Sequence, residues 1–574
     1  MTALRQLHIL RFRGVSEATW SPHEGVNGLI GAGDGGKSTL LDAIDFALTQ
    51  RRNLTFTDAD FFGLDVSAPI QISATLGDLP DSLQDLDAYG QYLRGWNAAD
   101  KAVVDEPAAG LEVVLTMRLI VDSDLEPHWA LYSDRAAADG HGRDLPFAER
   151  GRIQPTRLGA FATHHFSWGG RSVLNHLSDE RASASQALAE AAREARKTFG
   201  DRASAQVEET LKIVEEVAAT AGVRGAAEVQ ALLDAHGVSF SGGAIALHDG
   251  AGVPLRNLGV GSSRLLVANL QAVAGQGASI SLIDELEHGL EPYRIARLLH
   301  TLGSKDEAAG GQVFLTTHSP ICVRELAARQ LWKVHRDAAG IVTVVELGVG
   351  ADDQATLRAC GEAFLAPHVL VCEGATEVGL ARGLDLYWAE HHGETLARHG
   401  VALADGGGSN FVARALCFAN LGFRTGLWRD SDVVLTPDQL RDLADAGVTQ
   451  FAWDAPHSTE QQLFAALPDT AIDQMLSIAA EHCGQDAIVQ HVANVDAALD
   501  LETLEILGYG AADRAALGRA AGRYKWFKTV DQGERVGREV LGANLDRTGA
   551  PVPAVIAALR TWIAGLPPEE DHGL

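Results

Sequence analysis

Two groups of residues in this chain have types and spacings that chemistry requires. The first is GAGDGGKST at 31–39, which satisfies the pattern G-x-x-x-x-G-K-[ST]. In such a loop the backbone N–H groups converge on phosphate oxygens, the following helix adds the positive end of its dipole, and the lysine reaches the terminal phosphates. Those roles fall to Gly31, Gly36 and Lys37, with the Ser38 hydroxyl on Mg²⁺; Arg13, Asp34 and Thr39 join the nucleotide-binding set. Asp34 brings a negative charge close to the phosphates, which predicts slow hydrolysis. A matching partner lies far downstream, where the apolar run of SISLIDELEHGLEP (279–292) ends in Asp284 and Glu285. An aspartate at such a strand end shares the ATP-bound Mg²⁺ with Ser38, and the next carboxylate polarises the attacking water. Two further pieces belong with them. GQVFLTTHSP (311–320) ends in His318, placed to meet the terminal phosphate, and NLGVGSSRLL (257–266) is a Gly/Ser turn opening a helix. A Gly-rich turn matching by chance and a satisfied core histidine are the competing readings of the separate pieces.

The second group is acidic. HVLVCEGATEVGLARGL (368–384) reads as a buried strand, a tight turn and a helix, with Glu373 at the strand end and Glu377 in the first helical turn. VALADGGGSN ends a strand at Asp405, and TGLWRDSDVV ends another at Asp430 and Asp432. Strand ends on one side of a parallel sheet are where α/β folds place their sites. Carboxylates meeting there repel unless cations lie between them, so divalent metal is expected. Two ions about 4 Å apart activate a water and stabilise the leaving oxygen in phosphodiester cleavage. The competing reading makes these acids surface turns of a flavodoxin-like module.

The elements that must position these groups form two halves. LRQLHILRFRGV and VNGLIG read as strands before the phosphate loop, and STLLDAIDFALTQ as the helix after it. Residues 1–165 and 241–346 form one split α/β domain. The stretch 166–240 is a helical insert, rich in Ala, Glu and Arg across 178–222 with apolar residues three or four apart. It packs either on its own head or, in a dimer, on a partner's copy. Residues 347–574 form a second α/β domain with a helical, basic extension. From Asp513 to Glu539 seven basic side chains (Arg514, Arg519, Arg523, Lys525, Lys528, Arg535, Arg538) stand against four acidic ones. This is either a local nucleic-acid contact or an ordinary solvated helix face.

Composition limits the partners. A formal charge of −29 argues against a protein that coats nucleic acid through bulk electrostatics, so any DNA contact is local. No apolar run of about 18 residues exists, so no membrane contact and a cytoplasmic location are expected. The five cysteines show no C-x-x-C spacing, which indicates neither a zinc cluster nor a disulfide framework.

The order of phosphate loop, signature-like turn, Asp284 strand and His318 strand resembles ABC-type ATPases of the SMC and RecF kind over roughly residues 1–345. That resemblance implies ATP sandwiched between two heads, with Gly259, Gly261 and Ser262 acting on the partner's nucleotide and His318 as the switch histidine. Two departures stand out: Gly33 replaces the usual Asn, and Asp60 substitutes for the usual loop glutamine. E-G-x-x-E followed about fifty residues later by D-x-D resembles the Toprim domain, at Glu373, Gly374, Glu377, Asp430 and Asp432. The two together resemble the overcoming-lysogenization-defect (OLD) family of nucleases. The loop GAGDGGKSTLLDAI and the tail WFKTVDQGERVG are similar to the group encoded beside a UvrD-like helicase in Gabija-type phage defence.

The expected architecture is therefore α/β: an ABC-type ATPase head with a helical dimerisation insert, then a Toprim, Rossmann-like nuclease domain. The resemblance also implies a further metal-site acid, Glu460, and a lysine, Lys528, giving a metal set of Glu373, Glu377, Asp405, Asp430, Asp432 and Glu460 with a catalytic Glu377 and Lys528. The expected cofactors are ATP with one Mg²⁺ and two Mg²⁺ or Mn²⁺ ions at the Toprim site. The expected partners are DNA, a second copy or higher homo-oligomer, and a UvrD-like helicase. Two other functions compete with a DNA endonuclease: an ATP-gated DNA clamp or scaffold, and a RecF-like repair ATPase whose second half only docks.

Overall fold

A computed structural model of the chain describes residues 2–50, 54–158, 163–167, 172–174, 190–191, 193–194, 198, 206–220, 246–274, 280–305, 311–348, 350–453 and 456–565. The strand before the phosphate loop, Val26–Ile30, is buried at every residue, as a parallel strand covered on both faces must be. Gln312–Thr316 pairs with it in parallel on one side and Leu331–Arg336 on the other. Ile280–Ile283 and then Thr156–Leu158 extend the parallel block beyond Gln312–Thr316. Across Val15–Trp20 the sheet turns antiparallel through Ala3–Phe12, Ile70–Gly77 and Glu112–Val121, for thirteen strands among the described residues. The helix Lys37–Leu48 buries Leu40, Leu41, Ile44 and Leu48, the three-to-four spacing of one apolar face, into the main core.

The helical insert falls mostly outside the described residues. Its helix Glu208–Thr220 leaves Ile213, Val214 and Val217 exposed, and Val207 just before it is exposed as well. At the neck Leu247 N–H donates to the Phe166 carbonyl at 2.7 Å and Ser167 bridges Ala246, so the chain leaves and re-enters the head at adjoining points.

The second sheet is wholly parallel, in the order Val401–Asp405, His368–Cys372, Arg424–Arg429, Thr449–Ala452. The first strand in the chain lies between the second and the third, so connections diverge at the border of His368–Cys372 with Arg424–Arg429. That border is the topological switch point where α/β sheets open a crevice. The two sheets share one core. Leu347, where the sequence divides the chain, is buried, and one cluster joins Leu331 and Leu326 to Val369, Phe418 and Phe423. Lys333 on the strand beside the phosphate loop crosses this border: its Nζ lies 3.7 Å from the Phe423 ring centroid and donates to the Leu421 carbonyl at 3.1 Å. Among the described residues no helix is long and apolar enough to cross a membrane.

One close crossing fixes the C-terminal extension to this sheet. Gly379 and Gly383, a turn apart on the helix Ala375–His392, face Gly533 and Gly537 on the helical segment that begins at Val530. A Cβ at Gly533 lies 2.7 Å from the Thr376 carbonyl oxygen, and one at Gly537 lies 2.6 Å from that of Leu380. The backbones touch because no side chain intervenes, and this contact holds Lys528 and its neighbours against Glu377. Gly379→Val is expected to destabilise the C-terminal unit by about 3 kcal/mol, the upper range for forcing extra methyl groups into a packed contact. Urea unfolding followed by tryptophan fluorescence reads the loss; an unchanged midpoint overturns the account.

Candidate functional site: a phosphate loop and an acidic sheet edge

The nucleotide site forms where the parallel strands of the large sheet end. Gly31 (φ 137°) and Gly36 (φ 94°) occupy left-handed conformations, and a Cβ on Gly31 would strike the Val334 carbonyl. Lys37, 3% exposed, folds back into the loop and donates to the carbonyls of Gly31 at 2.9 Å and Ala32 at 2.6 Å. Burial pushes its pKa down to about 8, against the charges of Asp34 and Asp284. Ser38 Oγ donates to Asp284 Oδ1 at 3.1 Å, so the two expected Mg²⁺ ligands already meet although 246 residues separate them. Asp34 and Gly33 are exposed on the loop and Thr39 is half-buried.

Around this pair the structure adds residues that spacing did not reveal. Thr316 Oγ1 donates to Asp284 Oδ1 at 2.6 Å and receives the Glu285 N–H at 2.8 Å, locking the carboxylate that faces Ser38. Glu287 bonds Thr317 Oγ1 and the His318 N–H, both at 2.6 Å, and so sets the segment carrying His318. Burial, then the charge of Lys37, lowers the His318 pKa. Glu285 is exposed with φ 46°, 3.7 Å from His288. Arg157 reaches Asp42 at 2.5 Å, Asp45 at 3.4 Å and Asp284 at 3.8 Å. Arg264, 1% exposed, donates to the Asp284 carbonyl at 2.8 Å from the helix that follows the signature-like turn.

Two expected contacts take a different form. Arg13 does not face the phosphate loop as a free cation: its guanidinium pairs with Asp42 and, at 3.0 Å, with Asp60. Asp60 is thereby engaged in holding Arg13 as well as the Thr57 N–H. In the signature-like turn Gly259 is exposed, Gly261 packs on the Gly289 backbone, and Ser262 Oγ accepts from Arg294 at 3.0 Å.

At the switch point of the second sheet four acids from three segments come together. Glu373 Oε2 accepts the Asp430 N–H at 2.8 Å, stitching the two strand ends. Glu377, 2% exposed, turns one oxygen to the Gly374 N–H at 3.1 Å and leaves Oε1 without a donor. Asp430 Oδ1 accepts from the Thr459 N–H at 2.8 Å and from its hydroxyl. Glu460, from the same helical turn, has Oε2 bonded to Ser458 Oγ at 2.9 Å and Oε1 3.3 Å from Lys528 Nζ. Burial and the neighbouring charges push Glu373 up to about 7 and raise Glu377 and Asp430 as well. Lys528 is raised: burial works against its charge, but Glu460, Glu377 and Asp430 outweigh it.

The acidic set differs from expectation in two respects. Asp405 stands apart, because its strand flanks His368–Cys372 on the side away from Asp430; it is exposed and accepts the Gly407 N–H at 2.8 Å. Among the described residues no three acidic, histidine or cysteine side chains converge closely enough to hold a metal ion as they stand. Lys528 and the hydroxyl and backbone donors relieve part of the repulsion for which divalent ions are expected. The second oxygens of Glu377 and Glu460 are nevertheless what a cation needs: Glu377 Oε1 has no hydrogen-bond donor, and Glu460 Oε1 has Lys528 Nζ at 3.3 Å.

Asp432, exposed, and Glu460 lie on the wall of a cavity of about 570 Å³ that Lys528, Arg519 and Arg523 also line. The basic segment therefore divides. Arg514 is tied to Asp469 and to backbone carbonyls, Arg535 pairs with Glu481 and Arg538 with Glu390. Arg519, Arg523 and Lys528 face the cavity.

A family model described as "AAA domain, putative AbiEii toxin, Type IV TA system" matches residues 26–324. No curated protein matches the chain. Among solved structures, an Smc head bound to the C-terminal winged-helix domain of ScpA is 13% identical, over 60% of this chain and 96% of that one, with a TM-score of 0.32. An Smc head with an extended coiled coil, bound to the C-terminal domain of ScpA from Pyrococcus furiosus, is 13% identical over 60% and 96%, at 0.30. The SMC head domain from Thermotoga maritima is 12% identical over 60% and 99%, at 0.28. Scores this low add nothing to the argument. The family match spans more than half of the 574 residues and takes in the phosphate loop, the Asp284 strand and His318, so the chain belongs to this AAA-domain family and carries an ATP-binding ATPase domain.

Proposed function

We propose that this protein is an ATP-binding, divalent-metal-dependent DNA endonuclease of the OLD kind, in which a Toprim-like second domain hydrolyses phosphodiesters under the control of dimeric ATPase heads. The observation that carries the reading is the meeting of Glu373, Glu377, Asp430 and Glu460 at the switch point of a parallel sheet, with Lys528 among them and a cationic cavity alongside. Glu373, Asp430, Asp432 and Glu460 are the residues that would hold divalent ions, and Glu377 is the buried acid beside them. A bound divalent ion supplies positive charge for a phosphate and an acidified water. Lys528 carries a fixed positive charge to the same place, where it offsets charge building on a phosphate oxygen. In a dimer of heads, Gly261 and Ser262 of one copy complete the nucleotide site of the other; a phage-defence role with a UvrD-like helicase is the biological setting proposed for the pair.

A second reading, an ATP-gated clamp or RecF-like repair ATPase that does not cut, is favoured by one observation: the acids do not converge on a common point while Lys528 occupies Glu460. Plasmid nicking separates the two. With Mg²⁺ or Mn²⁺ the protein is expected to nick supercoiled DNA, and Glu377→Gln or Lys528→Met to lower the rate by about 100-fold or more while ATP hydrolysis persists. Equal nicking by either variant removes that residue from the chemistry; no nicking by the unaltered protein under any ATP condition leaves the clamp.

Nucleotide binding has its own pH signature. Because the Lys37 pKa is lowered to about 8 in the free protein, the ammonium is partly lost above that pH and must regain its proton to meet phosphate. ATP affinity is therefore expected to be flat below about 8 and to fall above it, approaching tenfold per pH unit, with proton uptake seen by calorimetry in buffers of different ionisation enthalpy. Affinity that is constant to pH 10 contradicts this.

A further inference from the structure

The cavity beside the acidic edge has a wall of unusual polarity. Arg519 and Arg523, both exposed, have no acidic partner among the described residues. Gln461 and Asn494 have already used their carbonyl oxygens, on the Ser458 N–H and on Gln490 respectively, which leaves their amide N–H₂ groups for the cavity. With Lys528 this makes five donors, and the only acceptors of strong charge, Asp432 and Glu460, belong to the acidic edge. A surface of donors at one end and metal-type acids at the other matches a chain of phosphates, not the mixed donor and acceptor edges of bases.

Size selects further. An open space of about 570 Å³, bordered by three helices, lies in the range of small-ligand pockets. A space of that size takes the sugar–phosphate backbone of one strand and not the body of a duplex. Arg523 is also held in place: its guanidinium lies 5.5 Å from the Tyr524 ring, which stacks on His491 at 3.9 Å with an interplanar angle of 5°, and His491 accepts from Trp526 Nε1 at 3.1 Å. A cationic groove whose arginine is held over a ring follows a phosphate backbone without sequence readout.

We propose that this cavity is a single-strand subsite, in which Arg519 and Arg523 grip the backbone phosphates next to the scissile one, so that the protein acts on unpaired segments of nucleic acid. The proposal rests on the nuclease reading for the word scissile alone; the grip itself does not require cleavage.

The test is therefore a binding measurement on the full-length protein in EDTA, using fluorescein-labelled oligothymidylate, free or annealed to oligoadenylate. The free strand is expected to bind about tenfold or more tightly than the duplex. The double variant Arg519→Gln, Arg523→Gln is expected to lose that preference and to flatten the log–log salt slope by about 1.4, two phosphate contacts at about 0.7 each. Arg441→Gln, a charge removed on the surface helix Pro437–Asp445, controls for net charge, and retained ATP hydrolysis controls for folding. Equal affinity for strand and duplex, or a double variant that binds like the unaltered protein, overturns the proposal. Nicking without arginine dependence sinks the subsite alone; arginine-dependent strand binding without nicking sinks the nuclease reading alone.

Discussion

Like charges driven together at the end of a sheet are the constraint around which this molecule is organised. A carboxylate leaving water loses hydration that only a donor or a cation restores, and several at once multiply the cost. At the second sheet the cost is spread over three remedies: Asp430 takes a backbone N–H and a hydroxyl from Thr459, Glu373 takes the Asp430 N–H, and Lys528 faces Glu460, Glu377 and Asp430. Every remedy depends on an element far away in the chain. Lys528 reaches Glu460 only because Gly379 and Gly383 let the segment bearing Gly533 and Gly537 approach to backbone contact.

The nucleotide site handles the opposite sign with the same economy. Lys37 is a buried cation whose hydration is replaced by two loop carbonyls, and its lowered pKa records how incomplete that replacement is. A phosphate oxygen is the partner such a lysine takes in a phosphate loop. The Val334 carbonyl crowds Gly31 and Gly35 of the loop, and Lys333, the preceding residue on the same strand, is anchored on Leu421 and Phe423 of the second unit. One strand thus borders both the phosphate loop and the other domain, whose helix Phe411–Asn420 begins just beyond the glycine turn bonded to the Glu373 carbonyl.

Much of this was legible in the sequence where a local pattern carries the chemistry. The phosphate loop, Asp284 and Glu373 through Glu377 each lie on a strand, turn and helix that a dozen residues specify, and Ser38 meets Asp284 as the pairing of motifs implies. What escaped is what only pairing across the sheet creates. Glu287 means nothing until the neighbouring strand brings Thr317 and His318 to it, and Arg264 until its helix lies under Asp284. Asp405 was counted with the acids because it ends a strand, but strand order, invisible in spacing, sets it on the far side. Similarly, the charge excess of 513–539 could not show that Arg514, Arg535 and Arg538 serve the fold while Arg519 and Arg523 face a cavity.

The overall charge of −29 makes that last division consequential. At physiological ionic strength a surface charge is felt over a Debye length of about 8 Å, so an approaching polyanion meets repulsion over most of this surface and attraction only within reach of a cationic patch. Binding under those terms is decided at contact distance by donors already in place. Arg523 within cation–π reach of Tyr524, Lys528 held against Glu460, and amides whose other end is already bonded all have partners within this chain. Side chains held in this way lose little further entropy when they close on a phosphate. An acidic protein can therefore hold an anion at a cationic patch although its net charge opposes the approach, and here that patch adjoins the acidic sheet edge.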